Sequence, residues 1–166
     1  MTRFATPLLA VLAATVVGAG GPAAAPADAG ARLSRSERTM IRLINDIRSG
    51  YGLGRLRASR ALSRAADSHT RDMLSRDFFD HSSSDGTPFY QRVHRYANAR
   101  SVGETLAALG QRSGGESTIV TMWMESPPHR AVLLDSGFRR IGLGRRWGML
   151  GGYGQSVVTA DFASRR

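Results

Sequence analysis

Apolar residues recur at helical spacing along most of the chain and at strand spacing only near its end. Met40, Ile41, Ile44 and Ile47 fall on one helical stripe that stops at Gly50. Ahead of them, Ser34-Arg35-Ser36-Glu37 has the spacing at which a serine hydroxyl and a glutamate three residues later each take a backbone N–H of the other. The pattern predicts a first helix beginning at Ser34, then a glycine-broken loop, Tyr51 to Leu56, pinned to the core by Leu53 and Leu56. Ser59 caps a second helix, carried by Leu62, Ala65, Ala66, His69 and Met73 and ending near Arg76. Phe78 and Phe79 leave it as two aromatics to bury, and Ser82 to Gly86 is a turn. Thr87 as cap with Pro88 in the first position opens a third helix through Tyr90, Val93, His94 and Ala97. After a loop from Gln111 to Gly115, the residues Ile119, Val120, Trp123 and Met124 mark a fourth. Pro127 stops it, and Ser126 caps the next helix, with Pro127 in its first turn and apolar residues from Ala131 to Leu134.

Alternation takes over afterwards. Phe138 to Arg145 reads as a strand whose glycines let another backbone approach closely. Gly148 to Gly154 reads as a glycine-rich turn, and Val157 to Ala163 as a second strand antiparallel to the first. Helices followed by a late, small antiparallel sheet predict an α+β domain. The glycine-rich turn joins two strands, so it lacks the strand-to-helix setting of a dinucleotide-binding loop.

The amino terminus follows a different logic. Arg3 precedes the apolar run Leu8 to Val17, which is short for a bilayer span and is followed by small residues. Residues 1–29 are therefore expected to be a signal peptide cleaved near 27–29, residues 30–38 a short lead, and 39–163 a single folded domain. Export without any cysteine means that packing alone must hold that domain together. The formal net charge is +10, and every basic residue is arginine. Such a charge favours anionic lipid or wall polymer. The arginines are nevertheless scattered along helix faces without interleaved aromatics, so a specific nucleic-acid site is not expected.

Among the four histidines, His69 lies on the apolar stripe of the second helix, where a hydrogen-bonded core role is the simplest reading. His94 is a partly exposed helix residue. His81 comes at an ordered edge beside a loop, and His129 in the first turn of a helix, where the positive end of the helix dipole favours a neutral ring. Glu104, between Gly103 and apolar neighbours, must find a partner if it is buried. Ser126 serves as a helix cap rather than a nucleophile, and Glu125 faces solvent, which leaves a two-carboxylate hydrolytic pair without its second acid.

Taken in order, Leu43 to Arg48, Ala66 to Met73 leading to Phe79-Asp80-His81, Val102 to Ala107, Trp123 to Arg130 and Ile141 to Gly144 resemble the bacterial branch of the CAP superfamily, or SCP domain. This is the group of cysteine-rich secretory proteins, antigen 5 and plant pathogenesis-related proteins. The resemblance implies an α-β-α sandwich with a cavity lined by two histidines and acidic residues, which fall on His81, Glu104 and His129. The fourth cavity position falls on Ser126, where many relatives carry glutamate. Thr105 and Val132 stand where asparagines are common.

Two imidazoles and a carboxylate are the donor types of an open zinc or other divalent site, with His81, His129 and Glu104 as candidate ligands and Glu104 as the candidate catalytic base. The competing reading makes the same residues a hydrogen-bonded cluster in a polar cavity. The expected function is thus a secreted, non-catalytic binding or interaction module for an extracellular ligand, whether lipid or sterol, peptide or cell-wall component. A metal-dependent, peptidase-like hydrolase using the same cavity is the alternative.

Overall fold

The computed structural model describes residues 33–110, 112 and 115–165. The expected signal peptide with its cleavage region, the start of the lead and most of the 111–115 loop lie outside the described residues. Among the described residues the elements run α1 (Arg35–Gly50), β1 (Arg57–Ala58), α2 (Arg60–Arg76), α3 (Phe89–Tyr96), β2 (Val102–Leu109), α4 (Glu116–Glu125), α5 (Pro127–Leu133), β3 (Phe138–Leu150) and β4 (Tyr153–Ser164).

The strands form one sheet in the order β1-β3-β4-β2. β3, β4 and β2 pair antiparallel, while the two-residue β1 adds a parallel edge to β3 and makes the sheet mixed. Successive side chains of β4 point to opposite faces, and because residues 156–164 are all buried, they fill a layer on each side of the sheet. Val158, Ala160 and Phe162 pack with Met40 and Ile44 of α1, Ile119 and Trp123 of α4 and Leu133 of α5. On the opposite face Val157 meets Met73 of α2, and Ala163 meets Leu62 of α2 and Val93 of α3. Helices on both faces of one sheet give the α-β-α sandwich.

Local chemistry explains most element boundaries. Ser34 and Glu37 form the reciprocal capping box at the start of α1, and the Ser59 hydroxyl accepts the Leu62 N–H at the start of α2. Gly142 and Gly144 allow α2 to lie directly on β3: a Cβ on Gly142 would stand 2.1 Å from the Ser63 nitrogen, and one on Gly144 2.4 Å from the Asp67 nitrogen. Thr70 sits on this seam and donates to Gly144 O (3.1 Å) or Thr159 Oγ1 (2.9 Å). The indole of Trp123, 1% exposed, donates to Leu106 O at 2.8 Å and ties α4 to β2.

Arg48 is fully buried at the end of α1. Its Nε donates to Gly54 O (3.0 Å), and its Nη1 to Leu133 O (2.7 Å) and Asp135 O (2.9 Å), which joins α1 to the exit of α5.

Several expectations are corrected. Thr87 does not cap α3: the helix begins at Phe89 after an extended Pro88, with no side-chain cap. The Thr87 N–H is held instead by Asp85 Oδ1 and its carbonyl by Ser83 N–H, so the turn ends one residue later than its sequence suggests. Ser126 does occupy the N-cap position of α5, but its hydroxyl makes no capping bond. The Gly148 to Gly154 turn shrinks to Gly151 and Gly152, both at positive φ, because β3 and β4 pair as far as Leu150 and Tyr153. Residues 102–109, left without an element above, form β2. Alternation is absent there because residues 103–107 are all buried, so both faces of the strand are covered. Phe79 is 48% exposed rather than buried.

Candidate functional site

α2 ends at Asp77, which takes the left-handed conformation (φ 52°) and turns the chain back toward the sheet. The segment that follows is fixed from inside by His69, whose Nε2 donates to Asp80 O at 2.8 Å. That bond places His81 over the edge strand β2. There its Nδ1 lies 2.8 Å from Glu104 Oε1. Glu104, 4% exposed, projects from β2 and receives Arg92 Nη2 of α3 on its other oxygen. Arg92 Nη1 also reaches His81 O and Ser83 Oγ, each at 3.0 Å. Thus one guanidinium fixes the carboxylate, the backbone of the histidine that shares it, and the following loop.

His129 approaches from the other layer. α5 carries it to a ring-centroid distance of 6.2 Å from His81, with Phe89 flanking His81 at 6.1 Å. Burial, and next the charge of His81, hold the His129 pKa below the ordinary imidazole value. The direction is the one expected for a helix terminus, but its causes are desolvation first and the neighbouring His81 second. The two histidines and Glu104 line one cavity of about 480 Å³, whose walls include Val102, Val132 and Phe138. Val132, at the position where an asparagine is common, gives that wall an apolar surface. A Cβ on Gly103 would press on Phe138 at 2.9 Å and Val132 at 3.0 Å, so glycine there lets the walls meet.

Ser126 is not among the residues lining this cavity. Glu125, its neighbour, is exposed. His69 is fully buried, as its stripe suggested, and His94 is exposed. The structure therefore brings together three of the four cavity residues expected from sequence.

It also supplies an acid that the sequence reading passed over. Asp161 lies opposite Glu104 in the β2–β4 register and is completely buried. Neither of its oxygens has a hydrogen-bond donor. Burial, and then the nearby Glu104 charge, push its pKa well above the usual carboxylate range. Held as the acid, Asp161 can donate its proton to Glu104 across the strands. The signal was present in the sequence: Val157, Thr159, Asp161 and Ala163 share one face, and an acid among them stands out.

A zinc centre requires three protein donors with free lone pairs. No group of three or more His, Asp or Glu among the described residues is arranged to hold a metal ion. Both Glu104 oxygens already accept hydrogen bonds, one from a guanidinium. In this arrangement the residues do not fit such a centre.

The family described as CAP, the cysteine-rich secretory protein family, matches residues 41–162. The chain is 33% identical over 113 residues to the uncharacterised protein YkwD of Bacillus subtilis (strain 168), covering 68% of this chain and 43% of that protein. It thus spans less than half the length of that relative. An outer surface protein of Borrelia burgdorferi superposes with a TM-score of 0.67 at 19% identity, over 82% of this chain and 99% of that one. An extracellular SCP-domain protein of Bacillus anthracis strain Ames gives 0.65 at 24%, over 81% and 45%. No helix among the described residues is long and apolar enough to cross a membrane.

Proposed function

The chain belongs to the CAP family of cysteine-rich secretory proteins, and on that premise we propose that it is an exported, non-catalytic binding module whose His81–Glu104–His129 cavity takes an amphipathic extracellular ligand. One observation carries the reading: both oxygens of Glu104 are engaged, by His81 and by Arg92, inside the protein. A carboxylate so occupied holds its neighbours in place, and to take a proton from water it would first have to give up one of these bonds. The cavity wall is otherwise largely apolar, with the imidazoles at one side, which suits a ligand with an apolar body and a hydrogen-bonding head. The hydrolase reading would need Glu104 to leave Arg92 and face the solvent.

Decanoate is a suitable probe, followed through the imidazole signals of the four histidines by NMR. Binding should shift His81 and His129 and leave exposed His94 unmoved. Val132→Arg, which fills the cavity from its wall, should abolish the shifts. Unmoved His81 and His129 signals would refute capture of an amphipathic ligand. Peptide cleavage with added zinc that disappears in Glu104→Gln would replace the binding reading with the hydrolase.

A further inference from the structure

A second and larger cavity, of about 620 Å³, lies on the other side of Arg92, between α2, α3 and the 83–87 turn. Its lining differs in kind from that of the histidine cavity. Serine hydroxyls from Ser68, Ser75, Ser83 and Ser84 surround it, Arg71 and Arg95 stand at its rim, and Tyr96, 36% exposed, forms one wall.

The floor holds unsatisfied hydrogen-bonding capacity. His69 is fully buried, and because its Nε2 donates to Asp80 O, the neutral ring presents Nδ1 as an acceptor with no partner. Arg92, 5% exposed, keeps Nε as a donor with no partner. Buried polar atoms of native proteins are paired nearly without exception, so two unpaired atoms just behind the wall of one cavity mark hydrogen-bonding capacity that a water or a polar ligand at that wall would meet. Water alone could serve them, but the rim adds selectivity. Asp72 already accepts Ser84 N–H and Oγ, Asp85 accepts Thr87 N–H, and Arg71 pairs with Asp67. Arg95 makes one long bond, 3.4 Å, to Thr87 Oγ1, which leaves most of its fork open.

We propose that this cavity binds an acidic saccharide, a sugar ring bearing a carboxylate or phosphate. Arg95 takes the anionic group, Tyr96 lies against the ring, and hydroxyl groups of the sugar reach the serines and, through water admitted at the floor, the orphaned atoms of His69 and Arg92 behind it. The site is independent of the histidine cavity and of its ligand. Arg92 forms the wall between them, since its Nη atoms hold Glu104 and His81 on one side while its Nε serves the other.

Titration of the full chain with glucuronate, glucose 6-phosphate, glucose and inorganic phosphate tests this. The expected result is that at least one sugar-borne anion binds and shifts the His69 imidazole signals, the tighter of the two naming carboxylate or phosphate as the charged group. Glucose and inorganic phosphate should each bind at least tenfold more weakly. Replacing a buried arginine could unfold the protein, so the variant is Arg95→Ala, an exposed position, which should weaken the anion by about tenfold through loss of a charge-assisted hydrogen bond. An unmoved His69 with both sugar anions would overturn the proposal. Undiminished affinity in Arg95→Ala would do the same, as would inorganic phosphate binding as tightly as the sugar phosphate.

Discussion

Two buried arginines, Arg48 and Arg92, solve the same problem in opposite ways. Arg48 gives its donors to main-chain carbonyls of the loop after α1 and the exit of α5, so its charge is met by peptide dipoles. Arg92 gives its donors mainly to side-chain groups, and the Glu104 that it neutralises is shared with His81 and faces buried Asp161. Nothing around Arg48 is left unpaired among the described residues, whereas the surroundings of Arg92 hold orphans in its own Nε, His69 Nδ1 and both oxygens of Asp161. A saturated guanidinium is a clamp. An unsaturated cluster is where a fold has reserved capacity for chemistry or a ligand.

If that contrast is right, the largest effect comes from Arg92→Ala. It strands the Glu104 carboxylate in a site from which water is excluded, and breaking a buried ion pair from one side costs about 3–5 kcal/mol. Urea denaturation at neutral pH should show that loss, and Glu104→Gln in the same chain should recover part of it. A loss below about 1 kcal/mol, typical of a surface pair, would mean that the cluster is far better solvated than its burial indicates. Arg48→Met comes next. It orphans carbonyls rather than a charge, so about 1–3 kcal/mol is expected. Its loss should be the same at pH 5 and pH 8, because none of its three close acceptors is a titratable group.

Much of this contrast was legible in the chain and part was not. The stripe Met40-Ile41-Ile44-Ile47 and the Ser34–Glu37 box defined α1 because both are local, and the glycines of β3 announced the close approach of another backbone, though not that it would be α2. His81, Glu104 and His129 line one cavity, a grouping that only the family resemblance, and no local pattern, had implied. β2 was hidden because a strand covered on both faces loses its alternation, and with it went the register that sets Glu104 against Asp161. Arg92 read as one more surface arginine among 23 basic residues, since nothing local distinguishes a guanidinium that will fold inward. The cap assigned to Thr87 failed because a tertiary turn competed for the same atoms.

Asp161→Asn should have a smaller effect, and of opposite sign. The raised pKa means that the folded state holds a proton that the unfolded chain releases above its ordinary carboxylate value of about 3.9. Stability from this group therefore falls as pH rises from that value through the folded pKa. An asparagine keeps a donor for Glu104 and has no proton to lose, so the variant should be more stable than the parent at pH 7 and the difference should vanish near pH 3. Lower stability at pH 7 would show that the carboxylate form is satisfied by a partner.

The mildest effect separates the two histidine environments of the cavity. The His129 pKa lies below the ordinary value, chiefly through burial and then through His81. At pH 8 the ring is neutral in both folded and unfolded chains and contributes no pH dependence. Below about pH 6.5 the unfolded chain takes up a proton that the folded chain refuses, so stability drops on acidification until the folded ring also titrates. His69, lowered by burial and by Arg92, adds a slope of the same sign, so a bulk denaturation curve cannot assign the effect to one ring. NMR titration of each imidazole can. His129 should titrate below the reference value, and His81→Gln, by removing the nearby charge, should move it upward without restoring it fully, since desolvation is the larger cause. Complete restoration in that variant would make the neighbouring charge the dominant influence and the cavity wall around His129 wet.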